Sequence, residues 1–576
     1  MFDSSSIPAS ASGKVWHATS SWTSPLLWLG GCCVVAMVLL ALPIRLSVGA
    51  NYWDIVVYYD AAQRLAFGQV PHTDFFTPVG GLGYYLFAAV KTIWPQAHPI
   101  LAVQWSILVI AAPCMAVILR GVDRTSRARA LGLLIPFLIF GFLPINGIEA
   151  YPSSSFDAFG NYNRQSMLLL YVLVSALLFV RSPIVLATLL AVLLTALLFI
   201  KVTGVVIALV LLLFAWVCGR IGWLGLVSAL AGFVFFNACI EAANGMYSEY
   251  INDIATLVSM NGNTFLPRLL GVITLKFDVV ACVAALLALL TWHALSRFDA
   301  LPTRRDASWI ARARALLNTD PVWLAVTFIG ATVFETQNTG SQEYLLVWPV
   351  LLRILCRWKT SDNKMRPVVI LLIAAISLPI ALHTLYRSAR AVIAAGAYTP
   401  LPTTYLDRIG RASAKKELID RAEILNAHYA QFRDSYVSLA KQNQLPSQAL
   451  HAEPDFQVAW LLNVDAAARA IVAYEAANNV HFDSLLSIDF VDPFPYILDR
   501  RPVRNIAIGI DPTRTFPALQ AEAMADVANV PAILVPTCPV TSFREQILDG
   551  FRPALENRRK VALTPCWDLY LPKPRS

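Results

Sequence analysis

Residues 51–94 read NYWDIVVYYDAAQRLAFGQVPHTDFFTPVGGLGYYLFAAVKTIW, and the topology of the chain turns on how their last third is taken. The stretch follows an apolar run, Leu26–Val48, that is long enough to cross a bilayer. Its final part, Val79–Trp94, is apolar too, but it is short, opens with glycines and carries Lys91. The basic loops decide between a span and an interfacial helix. They are Arg120/Arg124/Arg127/Arg129, Arg181, Arg220, Arg297/Arg304/Arg305/Arg312/Arg314 and Arg357/Lys359/Lys364/Arg366. With 79–94 lying flat or re-entrant, every one of these falls on the N-terminal side of the membrane, as the positive-inside rule requires. With 79–94 as a span, the Arg120–Arg129 cluster and all that follows would flip.

Composition supports a membrane reading. The chain is 57% apolar and 14% charged over 576 residues, whereas soluble domains run nearer about 45–50% and about 25%. Mean hydropathy is +0.58. The net charge of +8 sits in short loops between apolar runs, which is a topology signal and not a nucleic-acid footprint. The expected fold is therefore mainly α: a polytopic transmembrane bundle of about 11 spans with a C-terminal extracytoplasmic α/β domain. The spans fall near 26–48, 99–119, 130–146, 166–180, 184–200, 204–218, 221–239, 269–294, 321–335, 344–356 and 367–386. No cleavable signal peptide is apparent in the polar residues 1–24. The expected location is a bacterial inner membrane, with the N-terminus cytoplasmic.

Residues 1–385 form the membrane module, with 49–98 as its first external loop. From 386 to 576 the composition changes. Helical periodicity runs through Ala412–Gln442 and Asp455–Asn479, followed by strand-like runs at Ser484–Phe490, Ala532–Pro536 and Trp567–Leu571. Seven of the nine cysteines lie in or beside apolar segments, where cysteine is a small apolar residue. Cys538 and Cys566 lie in the C-terminal part, and would be able to pair if that part is outside the cytosol. There is no HExxH, no CxxC pair and no glycine-rich phosphate loop, so no metal or other cofactor is indicated.

Polar residues suited to chemistry gather in the loops opposite the basic ones: Asp54, Asp74, Glu149, Asp157, Asn161, Arg164, Lys201, Glu249, Asp253, Arg268, Glu335, Asn338 and Glu343. Polar groups collected on one side of a bundle suggest a site there. Asp54 stands at the start of a helix whose i+4 position is Tyr58, so no basic residue on its own face satisfies it. The competing role is helix capping. Asp60 has Arg64 at i+4, a ready ion pair. Lys201 interrupts the apolar stretch Ile184–Cys218 at an external Lys-Val-Thr-Gly turn, where it snorkels or binds something. Trp53, Tyr84 and Tyr162 read as interfacial belt residues.

The order of these features resembles the glycosyltransferase C superfamily: one span, then an acidic loop starting at Asp54, a helix bearing Tyr58 and ending near Gly68, then a proline-led apolar helix. The nearest branch is that of the protein O-mannosyltransferases and the aminoarabinose–lipid A transferases. GQVPHTDFFTPVG (68–80), YNRQS (162–166), FIKVTG (199–204), ETQNTGSQEY (335–344) and SIDFVDPFPYIL (487–498) add to it. The chain departs from the pattern at Pro78-Val79, where a Pro-Pro is usual, and at Gln104, where an arginine is expected. The resemblance implies an inverting transfer of a sugar from a polyprenyl-phosphate donor to an extracytoplasmic glycan, lipid or protein. Phosphate leaves as an anion, so a single carboxylate base suffices, with a cation to neutralise the leaving group. Asp54 is the expected base. Tyr58, His72, Asp74, Asn163, Arg164, Lys201, Arg268, Glu335, Asn338 and Glu343 are the expected binding residues. Two readings of other classes stay open: a transporter or flippase, although no inverted repeat is seen, and a non-catalytic envelope scaffold.

Overall fold

The computed structural model describes residues 24–261, 265–296, 309–336, 340–341, 343–358, 365–442, 444 and 453–573. Asn338 lies outside them, as do Arg297, Arg304, Arg305, Lys359 and Lys364 of the basic loops. Within them are 23 α-helices and seven short strands.

Six described helices are long and apolar enough to cross a membrane, or up to eight if two bent helix pairs each make one span. This differs from eleven for local reasons. The run expected at 99–119 is divided into Pro99–Ser106 and Leu108–Asp123, bent by 42°, and the helix of the run at 321–335, Asp320–Glu335, is bent by 61° from Trp309–Leu317. The run at 344–356 starts with Tyr344 in the left-handed region (φ 55°) and a 3-10 turn before the ten-residue helix Trp348–Arg357. Pro25–Ala41 and Val202–Val217 are apolar but shorter than a full span. One of the six, Pro454–Asn478, belongs to the C-terminal part, where it packs beside Lys416–Gln431.

The outer helices turn large apolar side chains away from the protein. Leu224 is 81% exposed, and Val234 and Phe235 of the same helix are over 60%. In water such a face would be an unpaired apolar patch; against lipid it is at home. The chain is thus a multi-pass membrane protein.

The segment 79–94 contains a twelve-residue helix, Leu82–Ile93. At 1.5 Å per residue it is about 18 Å long, too short to span. Lys91, in its last turn, is buried and donates to the carbonyls of Pro95 (2.6 Å) and Ala97 (2.9 Å).

Two neighbouring helices, Pro183–Ile200 and Val202–Val217, meet at Lys201, a single extended residue (φ −162°). Such a sharp break strands carbonyl and N–H groups at the helix ends. The first loop and a later helix meet them: Gly80 N donates to Ile200 O (3.2 Å), and the Tyr250 hydroxyl accepts from Val202 N (3.1 Å). A side chain at position 80 would run into the Phe199 carbonyl, so only glycine permits this approach.

The C-terminal part carries a four-stranded sheet in the order Leu485–Ser487, Ala532–Pro536, Trp567–Pro572, Arg558–Thr564. The first pair is parallel and the others antiparallel. Cys538 and Cys566 are joined by a disulfide. Strand Arg558–Thr564 has no counterpart among the expected strands because it opens Arg-Arg-Lys. It is an edge strand, where charge is the usual protection.

This part is sewn to the first loop. Trp53 is buried against Phe456, Trp460 and Phe490, with ring centroids 5.1–6.0 Å apart, and its backbone N–H donates to Gln457 Oε1 (2.8 Å). Arg64 pairs with Asp60 at 2.8 Å, buried and not on a helix surface, and also donates to the Val503 carbonyl. Gln69 donates to Pro502 O, and Ile508 N donates to Phe76 O.

Candidate active site

A cavity of about 470 Å³ opens between the first loop, the ends of the bundle helices and the C-terminal part. Asp54, Tyr58, Lys201 and Arg268 line it, together with Tyr162 and with Asp511 and Arg514 of the C-terminal part.

Asp54 is the first residue of the helix Asp54–Ala66. The preceding turn, with Asn51 at φ 50°, places it there. Its carboxylate makes no hydrogen bond or ion pair with any described residue, so it is not spent on capping. It is enclosed by protein and reached through the cavity. Burial raises its pKa from 3.8 to about 7, with Asp511 adding to the rise and Arg514 opposing it.

Lys201 is held at the break between its two helices. Its ammonium donates to Asn163 Oδ1 (2.9 Å) and lies 5.0 Å from the centre of the Tyr162 ring. Asn163 is fixed in turn by donating to Gly340 O (2.9 Å). Burial lowers the Lys201 pKa to about 7. Glu335 opposes that fall, while Arg514 and Arg268 add to it. A carboxyl and an ammonium whose pKa values both move towards neutrality line one cavity.

Arg514 was not expected from the sequence. Its guanidinium is gripped by Asp511, with Nε and Nη2 each 2.9 Å from Oδ2. Asp511 Oδ1 also takes the Thr513 N–H and hydroxyl, and Thr515 Oγ1 closes the turn onto Gly509 O. The result is a rigid loop that presents an arginine to a cavity built mostly by other elements. The only signal in the sequence is Asp511-Pro512, which reads as a turn.

The remaining expected residues that are described, His72, Asp74, Asn163, Arg164, Glu335 and Glu343, are not on the cavity wall. His72, in the left-handed region (φ 70°), places Nδ1 2.7 Å from Asp253 Oδ2 and packs its ring against Tyr250 at a tilt of 36°. Asp74 accepts from Val70 N (2.7 Å) and pairs with Arg504 (3.0 Å), so it closes its own turn and ties it to the C-terminal part. Arg164 is fully buried. Its guanidinium donates to Gln104 Oε1, Asn146 Oδ1, Asn161 Oδ1 and the carbonyls of Phe159 and Asp157, which leaves no donor for a ligand. Glu335 accepts from the Ser341 hydroxyl, and Glu343 pairs with Lys276 at 2.6 Å. Burial raises the Glu343 pKa despite Lys276. Trp53 and Tyr84 are buried, and Tyr162 faces the cavity, so none of the three sits in an interfacial belt. Among the described residues no group of three or more His, Cys, Asp or Glu side chains is placed to hold a metal ion.

No family model matches the chain, and no curated protein matches it. Solved structures do. The chain is similar to ArnT from Cupriavidus metallidurans bound to undecaprenyl phosphate, at 14% identity and a TM-score of 0.41. It is similar to the same protein in the apo state, at 12% and 0.39; both matches cover 95% of this chain and 99% of that one. It is also similar to the oligosaccharyltransferase of Archaeoglobus fulgidus, at 12% and 0.34, over 88% of this chain and 68% of the other.

Proposed function

We propose that the protein is an integral membrane glycosyltransferase that moves a sugar from a polyprenyl-phosphate donor to an extracytoplasmic acceptor with inversion. The observation that carries this reading is the single unpaired carboxylate, Asp54, facing a cavity walled by Lys201, Arg268 and Arg514. The Asp54 carboxylate takes the proton from the acceptor hydroxyl. The hydroxyl oxygen bonds to the anomeric carbon as the bond from that carbon to the phosphate oxygen breaks. The lipid phosphate leaves carrying the electron pair, beside the three cations. A charge pair at about 4 Å is worth about 4 kcal/mol at an effective dielectric near 20, enough to make leaving-group stabilisation a principal term. The apolar remainder of the wall, Val57, Ile254 and Leu257 among it, suits the first isoprene units of the donor. In this reading no cofactor takes part. Residues 386–576 form an extracytoplasmic α/β domain, which suits a disulfide between Cys538 and Cys566, and the membrane is the bacterial inner membrane with the N-terminus inside.

The test is transfer from synthetic polyprenyl-phosphate sugars by purified protein in proteoliposomes. Asp54→Asn should lower turnover ~10²- to 10⁴-fold with donor binding kept, and Arg514→Gln should weaken donor binding about tenfold. Wild-type turnover in Asp54→Asn would overturn the assignment of the base. Absence of any donor binding to the wild-type protein would overturn the function itself.

A further inference from the structure

A second cavity, of about 720 Å³, lies at the other end of the bundle. The helix Asn161–Phe179 joins the two: Asn161 and Tyr162 line the first, and Leu178 and Phe179 the second. Nineteen residues at 1.5 Å each separate them by about 28 Å, close to the thickness of a bilayer core. Among the described residues seven arginines line this second cavity, and no carboxylate does.

Arginines at helix ends are ordinarily topology signals that point into water. These converge on one concave volume from separate elements. Arg120 ends Leu108–Asp123, Arg129 opens Arg127–Phe142, Arg181 follows Asn161–Phe179, and Arg220 follows Val202–Val217. Among the described residues the nearby carboxylates Asp123 and Asp320 are already committed, the first to Arg127 and the second to Arg353 and Arg357. Arg220 donates to the Val180 carbonyl. Arg120, Arg124, Arg129 and Arg181 make no ion pair with any described residue. Arg181 is close enough to Arg220 to disfavour its charge. Clustered like charges without a counter-charge cost energy unless an anion sits among them. The rest of the wall is aliphatic and aromatic, including Ile118, Leu178 and Phe179.

We propose that this arginine-walled cavity binds the phosphate groups of an anionic lipid from the leaflet on that side, with the lipid chain against the apolar wall. Guanidinium forks match phosphate oxygens in pairs, and basic pockets between membrane helices are suited to multiply charged head groups. The site is separate from the donor cavity and does not depend on what is transferred there.

The experiment is native mass spectrometry of the full chain in detergent, titrated with phosphatidylglycerol, cardiolipin or phosphatidylcholine, and separately with inorganic pyrophosphate. The expected order is cardiolipin, then phosphatidylglycerol, with phosphatidylcholine far weaker. The double variant Arg124→Gln/Arg181→Gln should bind cardiolipin ~10- to 30-fold more weakly, since an arginine near an anionic surface is worth roughly fivefold. Arg366→Gln, equal in charge change per site but outside the cavity wall, should bind like wild type. A melting temperature matching wild type shows that the double variant is folded. Equal binding of phosphatidylcholine and cardiolipin, or equal losses in Arg366→Gln and the double variant, would overturn the site. Binding of pyrophosphate with no lipid binding would overturn the lipid as its occupant.

Discussion

Asp54→Asn should make the protein more stable at pH 8 while leaving it unchanged near pH 4. The carboxyl is raised from 3.8 to about 7 by burial. Between those values the folded chain holds a proton that the unfolded chain has released, so stability falls as pH rises and the loss is complete above about pH 7. A rise from 3.8 to about 7 corresponds to roughly 4 kcal/mol at most. The cavity admits water, which screens the charge, so about half of that, ~2 kcal/mol, is the expected penalty. The amide of asparagine carries no such penalty at any pH. From typical unfolding entropies this is a shift of about 1–2 °C for a chain this long. The assay is a melting-temperature series for both proteins in the same detergent from pH 4 to pH 8. The gap should open between pH 5 and pH 8 in favour of the variant. A gap of constant size across that range, or a variant less stable at pH 8, would refute the claim that Asp54 is held in an environment hostile to its charge. The same measurement bears on catalysis, because a site that destabilises its own carboxylate has a base poised to take a proton.

Three further outcomes follow from the same geometry. With Asp54 and Lys201 both titrating near 7, donor turnover (kcat/KM) should be bell-shaped in pH. The acid limb belongs to Asp54 and the alkaline limb to Lys201, and Lys201→Arg should abolish the alkaline limb by fixing the charge. Arg164→Met should leave the acceptors of a buried guanidinium unpaired and cost ~3–5 kcal/mol, seen as loss of a monodisperse peak in size-exclusion chromatography; a normal peak and melting curve would contradict the structural role given to it here. Replacing Cys538 and Cys566 by serine removes a link between positions 28 apart. The expected cost to the C-terminal part is roughly 3–4 kcal/mol, read as protease sensitivity within residues 453–573 that reduction of the wild-type protein reproduces.

Much of the bundle was legible because hydrocarbon length and charge are local properties. The apolar runs and the short helix ending at Ile93 follow from windows of twenty residues or fewer. Asp54 could be singled out because its helix offers it no partner, and Lys201 because it stands alone in apolar sequence. What stayed hidden depends on distant residues meeting. Arg164 looks like a free cation beside the site, but its partners come from Gln104, Asn146 and the turn at Asp157–Asn161. His72 and Asp74 look like a pair, yet each is satisfied elsewhere, by Asp253 and by Arg504. Arg514 lies some 460 positions from Asp54 in a polar stretch with no periodicity, and nothing within it hints at a cavity. The span count differs for another reason: bent pairs such as Pro99–Ser106 and Leu108–Asp123 read as one run because hydropathy does not register a bend.

The seam between the first loop and the C-terminal part sets a limit on how this protein can be reshaped. Trp53 lies among aromatic rings contributed by residues 456–490, and the far wall of the Asp54 cavity rides on the loop at Asp511–Thr515. A chain cut near residue 385 would not be a smaller version of the same protein. It would be a bundle with this cavity laid open to water and the helix of Asp54 stripped of the residues that pack it. Swapping in the C-terminal half of another protein would therefore exchange the Asp511–Arg514 side of the cavity, unless the partners of Trp53, Arg64 and Gln69 travelled with it.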